Sequence, residues 1–246
     1  MRKPKRKFIP SIFTLFNLFF GFLAILNIYQ EKYISVFYLV LLAGIFDFLD
    51  GKVARWLNQE TEFGVELDSL SDIVSFCTVP ALLVNQIFMS ELGFIGNLIS
   101  FFPLLFGAFR LARYNVMAGT GAVKYFTGMP VPAMAMTISS IIWFNLNING
   151  TTGNPKIVLP FVIFISFLMV SNIRFSKPQG IYFGKDVRRT LKTVALLVSM
   201  AGTFIFGGLF LFPFMGIYII TALLNWIAGY DENIDEDENS ELIVEK

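Results

Sequence analysis

The sequence contains no histidine and a single cysteine among its 246 residues. One cysteine forms no intrachain disulfide, and Cys77 lies in an apolar run, so a small buried side chain is expected there. Without histidine, proton transfer and metal binding fall to other side chains, carboxylates above all. Charge is scarce as well: Asp, Glu, Lys and Arg make up 15% of the chain, against about 25% in soluble domains.

Apolar residues take the place of the missing charge. They make up 55% of the chain, with 29 Phe, and the mean hydropathy is +0.66. This composition indicates a protein that lies in a lipid bilayer, where a crossing helix needs about 20 mostly apolar residues. Such stretches predict transmembrane helices over residues 8–29, 33–57, 67–90, 92–114, 129–147 and 157–173.

A longer uncharged stretch follows at residues 193–230. It is too long for one crossing, and Gly207, Gly208 and Pro213 favour folding it into a two-helix hairpin. The sequence therefore predicts an all-α integral membrane protein with eight spans, of which six form a core and two form the C-terminal hairpin. A secretory signal peptide is the competing interpretation of the first span, but its apolar part exceeds the roughly 7–15 residues of a signal core.

The basic residues are distributed unevenly along these spans. Every Lys and Arg except Lys32 and Lys156 falls on one side of the predicted membrane. The positive-inside rule makes that side cytoplasmic, which places both chain termini on the cytoplasmic side of the cell membrane. Lys177 and the basic loop that follows it are expected to contact anionic lipid headgroups, and no nucleic-acid partner is expected.

The predicted organisation follows from these segments. A basic tail at residues 1–7 precedes the main membrane domain at residues 8–177. A basic cytoplasmic loop at residues 178–192 leads to the hairpin at residues 193–230. Residues 231–246 form an acidic tail, which is expected to be disordered and solvated.

Four aspartates stand where a membrane helix should be apolar. A charged residue at the centre of a span costs at least about 2.5–3.5 kcal/mol. Asp47 and Asp50 are three positions apart near the end of helix 2, and Asp68 and Asp72 are four apart at the start of helix 3. Each pair shares a helix face, and a short connection makes the helices antiparallel neighbours, so both faces are predicted to meet near the cytoplasmic boundary. The alternative is that the charges simply extend to water.

Four carboxylates at one place repel each other unless cations hold them together. An all-oxygen set selects hard ions such as Mg²⁺, Mn²⁺ or Ca²⁺, and four Asp are enough to bridge two of them. A pair of divalent ions beside a bilayer suits a diphosphate carried on a lipid. Gly51, Ala54 and Gly64 lie close by in sequence and let a ligand approach the backbone, although Gly64 alone would be explained as a plain loop glycine.

These residues form a pattern that resembles the CDP-alcohol phosphatidyltransferase family. The pattern is Asp-x-x-Asp-Gly-x-x-Ala-Arg from residue 47, then eight residues, then Gly-x-x-x-Asp-x-x-x-Asp from residue 64. The resemblance implies a six-helix membrane domain, usually homodimeric, with two divalent cations, Mg²⁺ or Mn²⁺. It assigns the metals to Asp47, Asp50, Asp68 and Asp72, and the CDP moiety to Gly51, Ala54, Arg55 and Gly64.

Further stretches, at residues 16–22, 62–70, 109–115, 126–132 and 168–171, resemble the branch of that family that uses serine. This resemblance covers roughly residues 9–177. It implies transfer of the phosphatidyl group from CDP-diacylglycerol to L-serine with release of CMP. Asp72 would be the general base for the serine hydroxyl, and the absence of histidine excludes a route through a histidine nucleophile.

Candidate acceptor residues lie on helices 1 and 4. Arg110 and Arg113 either bind the serine carboxylate or a lipid phosphate, or only follow the positive-inside rule. Thr14 and Asn17 share a face of helix 1, so they either reach the site or bond across helices, and the second is favoured for Asn17.

Two other functions stay open at this point. A sister transferase would use glycerol 3-phosphate or an inositol-type acceptor, and Arg110 and Arg113 would also serve its extra phosphate. A cation transporter would use the aspartates as its ion site. Transporters usually place such sites near the bilayer midplane, often with internal repeats, and neither feature is evident here.

Overall fold

A computed structural model describes residues 9–57, 61–119, 127–175, 198 and 201–229. Over these ranges the chain is helical and has no β-strand, apart from one isolated antiparallel bridge between Thr127 and Arg174. The prediction of an all-α protein is confirmed. The N-terminal tail, the basic loop at 178–192 and the acidic tail lie outside the described residues.

The first two helices form an antiparallel pair. α1 spans Ile9–Tyr29 and α2 spans Tyr33–Trp56. A tight turn joins them, in which the amide of Lys32 bonds to the carbonyl of Asn27 at 2.9 Å. The pair packs along most of its length, so the end of α2 lies beside the start of α1.

The third and fourth spans are built from three consecutive helical segments. α3 spans Glu62–Asp72, a π-helix spans Ile73–Thr78, and α4 spans Val79–Gly119. Thr61 caps α3, because its hydroxyl accepts from the amide of Gly64 at 3.1 Å. This cap explains why the helix begins earlier than the apolar run predicts. The π-helix directly after Asp72 was not predicted.

Gly93 divides α4 into two parts. Its backbone (φ 50°, ψ −127°) is not helical, so the chain reverses there. The two resulting spans are Glu62–Phe88 and Leu92–Val116, close to the predicted helices 3 and 4. Across this bend, Asn85 donates to Asn97 at 2.6 Å and to Ser100 at 3.0 Å.

The remaining helices are α5 (Val131–Asn149), α6 (Pro155–Val170) and α7 (Gly208–Ile227). A helical segment at 201–206 ends at Gly207, whose φ of 59° confirms the predicted break. Pro213 lies inside α7 and not in the turn. Half of the first arm of the predicted hairpin, residues 193–197, 199 and 200, lies outside the described residues.

Six helices among the described residues are long and apolar enough to cross a membrane. The spans from α1 to α5 account for five of them, and α7 is the sixth. α6 is apolar but shorter, with 16 residues. This architecture is that of an integral membrane protein. The predicted count of eight also includes α6 and the first arm of the hairpin, and it stays a prediction.

Small residues bring α1 close to the third span. A Cβ on Gly21 would collide with Ser75 of the π-helix, whose Cα would be 2.9 Å away. The hydroxyls of Ser71 and Ser75 donate to the backbone carbonyls of Thr14 and Asn17, at 3.3 Å and 3.0 Å. These contacts set the register of α1 against α3 and therefore decide which α1 side chains face the aspartates.

Candidate active site

The aspartates of α2 and α3 converge on one point. Carboxylate oxygens of Asp47, Asp50 and Asp68 all lie within 4.8 Å of one another. Asp50 is 6% exposed, and the other two are half-buried. The prediction that the two helix faces meet is therefore confirmed for these three side chains.

Asp72 completes the cluster from one turn further along α3. It is 8% exposed and lies close enough to Asp47 for the two carboxyl groups to hydrogen-bond. The side-chain amide of Asn17 donates to its Oδ1 at 3.2 Å. All four predicted aspartates are therefore neighbours in the folded protein, and helix 1 also contacts them.

The cluster has the chemistry that a hard divalent cation requires. Asp50 Oδ2 and Asp68 Oδ1 are buried and accept no hydrogen bond from the described residues. Buried carboxylate oxygens without a donor are costly unless a cation binds them. Oxygen ligands from several carboxylates are typical of Mg²⁺, Mn²⁺ and Ca²⁺ sites. The residues present fit such an ion.

The predicted nucleotide-binding residues flank the cluster on both helices. Gly51 and Ala54 follow Asp50 on α2 and are half-buried. Gly64 lies in the first turn of α3, where its amide donates to the capping residue Thr61, so it is a helix residue and not a loop residue, and its role in nucleotide binding stays a prediction. Arg55 belongs to α2, and its side chain lies outside the described part of the structure.

α1 contributes two side chains to the site. Thr14 hydrogen-bonds through its side chain to Asp50, and Asn17, at 0% exposure, bonds to Asp72. For Asn17 the favoured interpretation, a bond across helices, proves incomplete, because its partner is a site carboxylate. The three-residue spacing of Thr14 and Asn17 was the only sequence signal for this face.

The two arginines of α4 have different surroundings. Arg110 is 8% exposed and lies within electrostatic range of Asp72. Arg113 is half-buried, and its guanidinium donates to the Thr127 hydroxyl. Positive-inside topology alone does not require a buried guanidinium, since a surface charge would satisfy it. The positive-inside rule therefore does not by itself explain the burial of Arg110, and a role for Arg110 at the site stays a prediction.

Comparison with known proteins identifies the family to which this site belongs. The sequence model of the CDP-alcohol phosphatidyltransferase family matches residues 7–228. The chain belongs to this family. The resemblance inferred from the aspartate pattern is therefore confirmed, and the match extends through α7. Divalent-cation dependence is general in the family, and the acidic triad of Asp47, Asp50 and Asp68 is the corresponding feature here.

Several relatives within the family carry names that refer to serine. A CDP-diacylglycerol–serine O-phosphatidyltransferase from Helicobacter pylori (strain J99) is 33% identical over 89% of this chain and 90% of its own. A protein of the same name from Methanocaldococcus jannaschii is 34% identical over 90% of this chain and 95% of its own. An archaetidylserine synthase from Methanothermobacter thermautotrophicus is 36% identical over 70% and 71% of the two chains.

Proposed function

We propose that this protein transfers the phosphatidyl group of CDP-diacylglycerol to L-serine, forming phosphatidylserine and releasing CMP. The observation that carries the proposal is the convergence of Asp47, Asp50, Asp68 and Asp72 at one point in a membrane helix bundle. The named relatives, which cover most of the chain, support serine as the acceptor.

Asp47, Asp50, Asp68 and Asp72 are the proposed ligands of two divalent cations, Mg²⁺ or Mn²⁺. When bound, the ions offset the negative charge of the diphosphate and of the departing CMP. The orphaned oxygens of Asp50 and Asp68 support this assignment. The protein's own contribution is to hold the carboxylates in place through the packing of α1, α2 and α3 and through Thr14, which bonds Asp50.

Asp72 is the proposed general base. It takes the proton of the serine hydroxyl while the serine oxygen forms a bond to the phosphorus that carries diacylglycerol. The bond between that phosphorus and the oxygen of CMP breaks in the same displacement. Asp72 lies outside the acidic triad, accepts a hydrogen bond from Asn17 and is within electrostatic range of Arg110, and these polar neighbours support its assignment as the base.

We assign the two substrates to residues on different helices around the cluster. Gly51, Ala54, Arg55 and Gly64 are proposed to seat the CDP moiety, because the small residues leave the backbone of α2 and α3 accessible.

On the other side, Arg110 is proposed to bind the serine carboxylate or the lipid phosphate. Arg113 supports it from the next turn of α4. Thr14 completes the α1 side of the cluster through its bond to Asp50.

The orientation and assembly of the protein are proposals too. We place the site and both termini on the cytoplasmic side of the cell membrane, supported by the one-sided distribution of Lys and Arg. CDP-diacylglycerol then reaches the site from the cytoplasmic leaflet. A homodimer is expected from the family resemblance, and cross-linking in native membranes tests it. The membrane domain at residues 8–177 and the hairpin at residues 193–230 are proposed from the pattern of apolar and charged segments.

The acceptor is tested by comparing CMP release with L-serine, glycerol 3-phosphate and inositol, each with and without a chelator. Serine-dependent release that is lost with chelator and restored by Mg²⁺ or Mn²⁺ is the expected result. Release with glycerol 3-phosphate but not serine would favour the sister transferase. Metal transport into vesicles without CMP release would favour a transporter, although the site lies near the helix ends and not at mid-membrane.

The base is tested by Asp72→Asn. A positioned general base contributes about 10²–10⁴-fold to rate, so we expect serine-dependent CMP release to fall by that factor while the protein stays folded. Glu31→Gln, at the exposed turn between α1 and α2, is the matched control and should keep full activity. Activity of Asp72→Asn near the wild-type level would contradict the assignment.

A further inference from the structure

Asn17 has a buried side-chain oxygen that accepts no hydrogen bond from the described residues. Its side-chain nitrogen donates to Asp72 Oδ1 at 3.2 Å, whereas its side-chain oxygen is buried and bonds to none of the described residues. A carbonyl oxygen removed from water without a donor is costly, and folded proteins leave few of them. Such a group beside a proposed catalytic carboxylate indicates that a ligand supplies the missing donor.

The position of Asn17 is tightly set. Its backbone carbonyl accepts from Ser75 at 3.0 Å, and Gly21, one turn later, packs directly against the same serine. The amide orientation is also determined, because a carboxylate accepts hydrogen bonds and the NH₂ group must therefore face Asp72. The oxygen belongs to the same planar amide and stays next to that carboxylate.

We infer that Asn17 Oδ1 accepts a hydrogen bond from the ammonium group of the acceptor amino acid and so makes the site specific for an amine-bearing alcohol. This inference rests on the proposed function and adds a specificity residue to it.

The chemistry of serine supports this arrangement. Serine carries its hydroxyl and its ammonium on neighbouring carbons, so the group that takes the hydroxyl proton and the group that binds the ammonium must also be neighbours. Asp72 and Asn17 satisfy this condition. The carboxylate of serine shares a carbon with the ammonium, and Arg110 lies within electrostatic range of Asp72 to receive it.

A role as a metal ligand explains the same oxygen less well. The triad whose oxygens lie within 4.8 Å consists of Asp47, Asp50 and Asp68. Asn17 instead bonds to Asp72, which lies outside that triad and is proposed both as a metal ligand and as the base, and it is Thr14 that reaches the triad from α1. The adjacent carboxylate attracts either cation, an ammonium or a metal ion, so the metal dependence of the variants is measured beside their acceptor preference.

The test compares L-serine with 3-hydroxypropanoate, which keeps the hydroxyl and carboxylate but lacks the ammonium. The variant is Asn17→Leu, because leucine is similar in size to asparagine and has no polar side-chain atoms. We expect the ratio of kcat/KM for serine to kcat/KM for 3-hydroxypropanoate to fall about 10- to 100-fold. The KM for serine should rise and the KM for CDP-diacylglycerol should not change. Asn27→Leu is the matched control, because Asn27 lies on the same helix and its side chain donates to the carbonyl of Leu23 within that helix.

Each other outcome counts against the inference. An equal loss of kcat with both acceptors and an unchanged ratio would show that Asn17 only orients Asp72. A higher metal concentration for half-maximal activity, with the serine preference intact, would make it a metal ligand.

Asn17→Ser serves as the second variant if Asn17→Leu lowers the Tm strongly. Its hydroxyl is too short to reach the ammonium, so the same loss of preference is expected. A wild-type enzyme that ignores serine altogether would refute the proposed function itself, whereas an unchanged preference in the variants refutes only the role of Asn17.

Discussion

Gly128 lies where the chain returns to α5, and we expect it to tolerate no side chain. Its φ is +83°, a left-handed conformation, and a Cβ there would overlap the carbonyl oxygen of Met169 at the end of α6. Its amide bonds to the carbonyl of Ile173 at 2.8 Å, and the next amide, of Met129, bonds to Leu168 at 2.9 Å. The turn before α5 is therefore pressed directly onto the backbone that ends α6.

The cost of Gly128→Ala has two parts. The left-handed conformation costs a residue with a Cβ about 1–2 kcal/mol. The overlap with a backbone oxygen, which cannot rotate away, forces the turn to shift and weakens at least one hydrogen bond, worth about 1 kcal/mol. Together these predict a destabilisation of about 2–3 kcal/mol, or a Tm lower by roughly 5–10 °C for a chain of this size.

The measurement is thermal unfolding of the purified protein in detergent or nanodiscs, with Gly150→Ala as control. Gly150 also has positive φ, at +66°, but a Cβ there would meet nothing within 4 Å. Gly150→Ala should therefore show the conformational cost alone and a smaller loss of Tm. Equal losses in the two variants would refute the argument that close approach at Gly128 matters. Activity should fall as well, because neighbouring Thr127 accepts from Arg113, one of the proposed acceptor-binding residues.

Two further variants test the packing around the site. Gly21→Ala should lower both Tm and serine-dependent activity, because the added Cβ must push α1 away from the backbone of Ser75. Gly216→Ala on α7, where space is open, should leave both unchanged. Equal behaviour of the two variants would contradict this reasoning. Asn85→Leu should lower the Tm by a few degrees without changing the KM for serine, since it removes about 1 kcal/mol of hydrogen bonding to Asn97 far from the aspartates; a changed KM would show that this bend is coupled to the site.

Much of the architecture was readable from the sequence, since in a bilayer every crossing segment must be a long apolar helix. An uncharged stretch of about 20 residues therefore locates each span, and the predicted helices match the structure within a few residues. The exceptions occurred at the ends. Thr61 extends α3 toward its N-terminus, and α6 begins at Pro155 behind the Asn154 cap, because caps and not hydropathy decide where a helix starts.

The four aspartates were also determined by the sequence. An ionisable residue inside a span is energetically costly and so indicates a functional site. Turn spacing on two antiparallel neighbouring helices leaves little freedom about where the carboxylates meet. Their convergence followed from short-range geometry along the chain. Side chains from α1 are a different case, because their rotation about the helix axis depends on packing against a helix far away in sequence.

Tertiary structure alone decided what surrounds the aspartates. The contact between Gly21 and Ser75 sets the register that turns Asn17 toward Asp72, and no local pattern encodes a pairing between residues on separate helices. The burial of Arg110 and the pressing of Gly128 onto α6 likewise come from packing. The sequence by itself thus determined the membrane spans, the acidic cluster and the family, because these depend on periodicity and fixed spacing. The neighbours proposed to select the acceptor emerged only from how the helices pack.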